Sequence, residues 1–426
     1  MRQTRICMVS QWYDPEGGSA GIAGVVAKSL VRRGIECHVL TGFPNYPLGK
    51  TFPGYRQYPY KHEVVDGIHV HRVPLYPNHG PNPWRRIASY GSFAASSTVL
   101  GLARVGRVDA YLVYSTPVSV GLGPSIVGLF GKVPTITYVQ DLWPETMLNS
   151  GLIPNGATSN MVARLATSLS DWLYRRSQAI AVTSPGMKSA LIRRGIDPDS
   201  IEYVPNWLDR RFTGYSSKTV HGKPKRQRSH NEPFHLVYAG NLGEAQGVDT
   251  IIDAAVALRS RTNIYFTIVG SGVLEEHLRT RVVRQRISNV QFLGRREIGE
   301  VSELIRTADA QIVSLSSQQL FEMTIPSKLQ FSLAMGVPII ASVGGDAATI
   351  ANESGGSIVT QPGSGEDMAR GILWLTSLDD EIRRDMGSRA RRYFEMNFSE
   401  DEGAGRMESL IRSTIRKERS FGSRSN

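Results

Sequence analysis

The 426-residue chain holds two cysteines, 8% aromatic residues and no apolar run near the roughly 20 residues that span a bilayer. Two cysteines are too few for a disulfide framework. Cys7 and Cys37 both fall in stretches read as core strands, so they are expected to be inert buried thiols in a reducing cytoplasm. No group of Cys and His has metal-ligand spacing along the chain, and neither a metal nor another cofactor is expected. No secretory leader is expected, because the first four residues lead directly into a strand at Arg5–Ser10. The first strand is not followed by Gly-x-Gly-x-x-Gly, which argues against a nicotinamide oxidoreductase.

What is present is the composition of a globular protein, 41% apolar and 20% charged, in a chain too long for one ordinary core. The net charge of +11 has two concentrated sources. One is the acid-free run Lys218, Lys223, Lys225, Arg226 and Arg228; the other is the C-terminal tail with Arg412, Arg416, Lys417, Arg419 and Arg424. Basic runs suit anionic headgroups or nucleic acid, and a solvated linker would read the same. No aromatic stacking pattern accompanies them, so nucleic acid is not the expected partner and an anionic membrane surface is. Trp84-Arg85-Arg86 opens a segment to Ala103 that suits an interfacial helix or a core helix equally well.

Strands are predicted at Arg5–Ser10, Glu36–Thr41, Ala110–Tyr114, Thr135–Val139, Ala179–Thr183 and Ile201–Val204, with helices between them. A hairpin is predicted over His62–Val73, turning at Asp66-Gly67. A second alternating series starts at His235. The fold class is therefore α/β, as two Rossmann-like doubly wound domains expected to face each other across a cleft. The boundaries are drawn at 1–213, a basic linker at 214–233, a second domain at 234–398, and a C-terminal helix and tail at 399–426 expected to pack back on the first domain. Asp197-Pro198-Asp199 imitates a metal-binding Asp-x-Asp but sits in a short turn, so it is read as turn chemistry.

Two glycine loops stand out. Gly240, Gly243 and Gly247 lie between the strand His235–Ala239 and the helix Val248–Leu258, and Gly17-Gly18 lies between the first strand and its helix. Such loops let backbone approach a ligand and leave helix N–H groups pointing at it, which suits a phosphate; an ordinary βα turn has the same pattern. Together they suggest a diphosphate held by both domains.

At Glu16-Gly17-Gly18, Val204-Pro205-Asn206, Gly240-Asn241-Leu242-Gly243 and Pro326-Ser327-Lys328, with Ala334-Met335-Gly336-Val337-Pro338, the sequence resembles glycosyltransferase family 4. Thr41-Gly42-Phe43-Pro44-Asn45-Tyr46-Pro47, Phe52-Pro53-Gly54-Tyr55-Arg56 and Val139-Gln140-Asp141-Leu142-Trp143-Pro144-Glu145 are similar to its branch of bacterial colanic-acid and fucosamine glycosyltransferases, which serve O-antigen or capsule. The likeness runs over about residues 5–415. It implies a GT-B fold and retaining transfer without a metal. The donor, a nucleotide sugar expected to carry UDP, would bind the C-terminal domain. A polyprenyl-linked or other saccharide acceptor would bind the N-terminal domain, on the inner face of the cell membrane. A nucleotide-sugar epimerase of the same fold and a non-catalytic nucleotide-sugar-binding protein are the competing functions.

Many relatives place an Arg and a Lys near the second-domain glycine loop, where this sequence has Asn241 and Gln246. Lys328 is the nearest replacement cation, and a point charge can meet a phosphate oxygen without a bidentate fork. Relatives also carry two glutamates eight positions apart. Counting back from Gly336 gives Phe331 and Met323, while Glu322 and Gln330, one residue away, keep the spacing and are taken for the sugar and ribose. The donor set is completed by Gly17, Gly18, Gly240, Gly243, Gly270, Gly272, Gly294 and Ser327. Asp141, at the carboxyl end of a strand, is expected with Lys328 and Glu322 among the catalytic groups; a turn cap is its alternative. Glu16, Asn45, Tyr46, Trp143 and Glu145 are expected on the acceptor side.

Overall fold

The computed structural model describes residues 3–80, 82–129, 133–143, 145, 157–210, 233–318 and 322–424. The expected linker 214–233, apart from Pro233, lies outside them, as does Pro144. The chain divides into two units, Met1–Pro205 with Gly403–Asn426, and Asn206–Glu402. The second unit starts ahead of residue 214 because Leu208 packs into its apolar core. Arg210 also pairs there with Glu400 and Asp401, at 3.4 and 2.6 Å.

The first unit is built on an eight-stranded sheet in the order β3-β4-β2-β1-β5-β6-β7-β8. Its strands are β1 (Arg5–Val9), β2 (Glu36–Gly42), β3 (Lys61–Val65), β4 (Ile68–Val73), β5 (Ala110–Ser115), β6 (Thr135–Val139), β7 (Ala179–Val182) and β8 (Ile201–Tyr203). All pair in parallel except β3 with β4, which are joined through Asp66 and Gly67 at φ 52° and 75°. Two successive positive φ values make the tight turn whose twist matches a hairpin. The inner strands are apolar almost without break because helices cover both faces: Ile6, Cys7, Met8 and Val9 have no exposed surface.

The second sheet is wholly parallel, in the order β11-β10-β9-β12-β13-β14. Its strands are β9 (Phe234–Ala239), β10 (Ile264–Val269), β11 (Val290–Gly294), β12 (Ala310–Ser314), β13 (Ile339–Ser342) and β14 (Ser357–Thr360). Both sheets are Rossmann-like. In each, the winding reverses at one pair of neighbours, β1 with β5 and β9 with β12, and ligands bind outside the carboxyl ends of such a pair.

The last helix, Glu400–Arg424, carries the end of the chain onto the first unit. Glu408 meets Arg33 at 2.6 Å, Arg412 donates to the Thr4 hydroxyl at 3.1 Å, and Arg419 reaches Asp109 at 2.7 Å. The segment from Trp84 divides its roles. Tyr90, Phe93 and Leu102 are core residues, whereas Trp84 and Val99 are 57% and 72% exposed. Asp197 accepts the Asp199 N–H at 3.1 Å, which is a turn closing on itself.

Candidate functional site

In the second unit, three helices start at the carboxyl edge around the winding reversal. They follow β9 (Val248–Ala257), β12 (Ser327–Met335) and β13 (Gly345–Glu353). Their N-cap residues are Gly247, Pro326 and Gly344, none of which supplies a side-chain cap. Elsewhere the chain does cap with side chains, as Asn82, Ser184 and Ser364 do. With no side chain capping them, the three helix starts present the positive end of each dipole at this edge.

Lys328 stands in the first turn of the second of these helices. Its Nζ donates to the Tyr238 hydroxyl at 2.9 Å and lies 4.8 Å from the centre of that ring. The hydroxyl in turn donates to the Asn241 carbonyl at 2.8 Å. Among the described residues no carboxylate pairs with this half-buried ammonium. Burial alone pulls its pKa down to about 7. A desolvated cation at a helix start is opposed by the dipole as well as by burial, so the arrangement favours an incoming anion.

The glycines around it have separate duties. A Cβ on Gly240 would lie 2.7 Å from Lys328 Cδ, so its bareness is what admits the lysine. Gly247 takes the left-handed conformation, φ 57°, that turns the loop into its helix. Gly243 leaves room for Asn241 and Gln246, which bond to each other (Nδ2 to Oε1, 3.2 Å). Gly270 and Gly272 are spent on packing. Their Cβ positions would fall 1.8 Å from the Gly240 carbonyl oxygen and 2.4 Å from that of Leu242. Gly294, φ 67°, gives its carbonyl to the Gly270 N–H at 2.9 Å. Gly270 and Gly272 thus let the loops after β9 and β10 pack closely, whereas a Cβ on Gly294 would meet nothing within 4 Å.

Ser327 and Glu322 are exposed near the lysine helix, and the Glu322 backbone fills the space a Cβ on Gly345 would need, at 1.9 Å from its carbonyl oxygen. Gln330 departs from its expected place. It is buried, with its amide nitrogen 2.7 Å from the Asn206 carbonyl, so it braces the start of this unit and does not face a ribose. The cause is helical phase: Gln330 falls among Leu329 and Leu333 on the inward side.

In the first unit Asp141 follows β6. Its Oδ2 accepts from the Thr116 hydroxyl at 3.0 Å, and burial raises its pKa. Thr116 follows β5, so this pair lies on the strands beside the winding reversal. Buried atoms without a protein partner among the described residues include Gln11 Oε1, Ser115 Oγ and Trp143 Nε1, at the ends of β1, β5 and β6. The loops beyond β1 and β2 carry linked aromatic rings: Trp12 lies 5.3 Å from Tyr46 and 6.3 Å from Tyr90, His79 is 4.7 Å from Tyr46, and Tyr90 meets Trp143 at 6.0 Å. Gly17 and Gly18 are exposed, a Cβ on either would meet nothing within 4 Å, and Gly18 stands at φ 67°.

Glu16 and Asn45 are buried and serve the loop itself. The Glu16 carboxylate accepts the N–H groups of Tyr13, Asn45 and Tyr46 at 2.9, 2.6 and 2.7 Å, and Asn45 donates to the Phe43 carbonyl at 2.9 Å. Burial still lifts the Glu16 pKa against these bonds. Glu145 pairs with Arg194 at 3.6 Å; Arg194 also holds Asp171 at 2.6 Å and the Trp143 carbonyl at 2.8 Å. Both glutamates thus hold neighbouring groups in place. Sequence reasoning missed Tyr238, Trp12, His79 and Thr116. Thr116 had a usable signal, since it ends a strand beside the reversal.

Residues 17–207 match the Glycosyl transferase 4-like domain and residues 233–377 match Glycosyl transferases group 1. The chain is 27% identical over 327 residues to Escherichia coli WcaI, named as a colanic acid biosynthesis glycosyltransferase, covering 76% of this chain and 79% of that one. Sucrose-phosphate synthase from Thermosynechococcus elongatus superposes with a TM-score of 0.68 at 14% identity, over 97% of this chain and 100% of that one. Anabaena HepE, solved in complex with UDP and glucose, does so with a TM-score of 0.64 at 15% identity and the same coverage of both chains. At these identities the structural likeness speaks for the fold.

Proposed function

The chain is a glycosyltransferase built of a 4-like and a group 1 domain, and from that premise we propose that it transfers a sugar with retention from a UDP-sugar to a lipid-linked saccharide in cell-surface polysaccharide synthesis. The observation that carries the donor half is Lys328, a half-buried ammonium with a phenol as its side-chain partner, next to a glycine loop and uncapped helix starts. That set matches a departing diphosphate, whose developing charge is met by preorganised donors in a site already shielded from water. The leaving phosphate accepts the proton of the acceptor hydroxyl, so no separate protein base is required, and no metal is required to neutralise the leaving group. HepE, with UDP bound, and WcaI, by its name, support the choice of nucleotide and of product class.

On the first unit, Asp141 and the rings of Trp12 and Tyr46 suit a sugar acceptor, the carboxylate toward a hydroxyl and the rings toward a pyranose face. No helix among the described residues is long and apolar enough to cross a membrane. A surface association is proposed instead. Exposed Trp84, Ile126, Leu129, Met161 and Leu165 lie on or beside helices that touch one another. Arg85 stands beside Trp84, which is the pattern of an interfacial face.

The test is calorimetry with UDP on the intact protein and on Lys328→Ala, followed by a membrane-lipid assay for nucleotide release. Saturable UDP binding that collapses in the variant, with release dependent on lipid, supports the proposal. Equal binding by both proteins removes the donor assignment. Binding without release under any lipid leaves the non-catalytic binder, and donor conversion without acceptor leaves the epimerase.

A further inference from the structure

Four of the nine histidines lie together on three neighbouring strands, away from both glycine loops. The register sets His38 of β2 opposite His69 of β4, and His71 of β4 opposite His62 of β3. Paired positions share a face and so do residues two apart on a strand, so Glu36 and His71 join the same face. Along the chain the groups Glu36-Cys37-His38 and His69-Val70-His71 are too far apart to read as a motif. The sheet brings them together.

We propose that Glu36, His38 and His69 form a binding site for a divalent first-row transition-metal ion, zinc foremost, that fastens β4 to β2. One ligand atom of each lies within 4.8 Å of the other two. Tetrahedral zinc, with bonds near 2.0–2.1 Å, holds its ligand atoms about 3.4 Å apart. His38 Nε2 and Glu36 Oε1 already stand 3.3 Å apart, so a modest rotation of the His69 ring closes the set.

The outer partners are also of the kind metal-bound imidazoles have. His38 turns its other nitrogen, Nδ1, to His71 Nε2 at 2.9 Å, and His71 Nδ1 is held by the Tyr60 hydroxyl at 2.7 Å. His69 turns Nδ1 to His62 Nε2 at 3.1 Å, which leaves its Nε2 for the ion. Partners on the far nitrogen fix ring orientation and raise ligand basicity. Burial falls across the cluster from His38 and His71, both buried, to an exposed His62, so an ion has a way in.

Imidazole and carboxylate together suit zinc, copper or nickel better than magnesium or calcium. Arg5 opposes a cation, since its Nε holds Glu36 Oε1 at 2.8 Å. The same contact keeps the carboxylate in place for the ion. Three protein ligands leave a fourth position for solvent.

The test uses untagged, chelator-stripped full-length protein and zinc chloride alone. Equilibrium dialysis with elemental analysis is expected to give one zinc per chain, with a raised Tm and an X-ray absorption spectrum showing two imidazoles. His69→Gln and Glu36→Gln, both at partly exposed positions, are expected to weaken binding at least tenfold while keeping the circular dichroism of the metal-free protein. His62→Gln should weaken it by about 10-fold, the lower end of what outer partners contribute. No stoichiometric zinc, or a spectrum without imidazole, overturns the site even if a variant fails to fold. Unchanged affinity in folded His69→Gln overturns it as well.

Discussion

Lys328 Nζ stands 2.9 Å from the hydroxyl of Tyr238, over whose ring it also lies at 4.8 Å. A phenol and its ring solvate an ammonium only in part, and the pKa of about 7 follows from that deficit. A bound diphosphate favours the charged form, so the pKa must rise on binding. Above about pH 7, past the phosphate's own titration near pH 6, UDP binding should take up a proton. Affinity should weaken with rising pH, by up to about tenfold per unit. Calorimetry at pH 8 in Tris and in HEPES checks this, because the apparent enthalpy then differs by the buffers' ionisation enthalpies times the protons taken up.

Replacing that lysine separates function from stability. Its folded pKa lies below the unfolded value near 10.4, so the unfolded chain binds more protons between about pH 7 and 10.4. This residue therefore makes stability rise with pH across that window, and at pH 7 and below it is a burden. Lys328→Met should match or exceed the parent Tm at pH 7 and lose that pH slope. UDP affinity should fall by about 1.5–3 kcal/mol, the worth of hydrogen bonds to a charged group. A Tm drop together with unchanged affinity would mean the lysine is there for packing.

The glycines make a sharper pair. Gly270→Ala puts a Cβ 1.8 Å from the Gly240 carbonyl oxygen at φ 143°, and should destabilise the second unit by roughly 3 kcal/mol or more. Gly17→Ala meets nothing within 4 Å and should leave stability within about 0.5 kcal/mol. If Gly17 approaches the substrate, turnover falls in that variant while its unfolding curve does not move. Urea denaturation with nucleotide-release assays on both proteins reads this out.

That contrast shows where the sequence was legible. Strand and helix periodicity gave the order of elements, since runs such as residues 6–9 and 110–114 are apolar on both faces only inside a covered parallel sheet. The glycine pattern marked the loops that follow β1 and β9 at the winding reversals. It could not say which glycine faces a ligand and which faces a carbonyl, because Gly270 meets Gly240 only after β10 has paired with β9. Gln330 was taken one residue off the count from Gly336, and helical phase turns it inward onto the Asn206 carbonyl. Tyr238 stayed hidden because a strand tyrosine reads as core until its hydroxyl is seen at Lys328.

Asp141 tests the acceptor half independently of the donor half. Burial raises its pKa and Thr116 is its hydrogen-bond donor, so the group is held in one orientation beside the reversal of β1 and β5. Asp141→Asn keeps the shape and removes the charge. It should cut kcat/KM for the acceptor by about 10²–10⁴, the range for a positioned proton-handling or hydroxyl-orienting group. The UDP Kd should stay where it was, since the residue belongs to the first unit. A parallel rise in UDP Kd would place Asp141 with the donor.

The surface carrying Trp84, Met161 and Leu165 makes the membrane half measurable. These side chains are 57%, 60% and 64% exposed, and the helices that carry them, Pro83–Ser96 and Ala157–Arg176, both touch the helix Leu122–Gly128. Insertion of their apolar surface at the headgroup boundary, with basic side chains drawn to anionic lipid, would hold the protein on a bilayer. Trp84→Ser with Leu165→Ser should reduce flotation on vesicles containing anionic lipid, and raised salt should reduce it further. Neutralising Arg85, Arg86, Arg226 and Arg228 probes the charge term separately. If all of these proteins float as the parent does, that surface is not what meets the membrane.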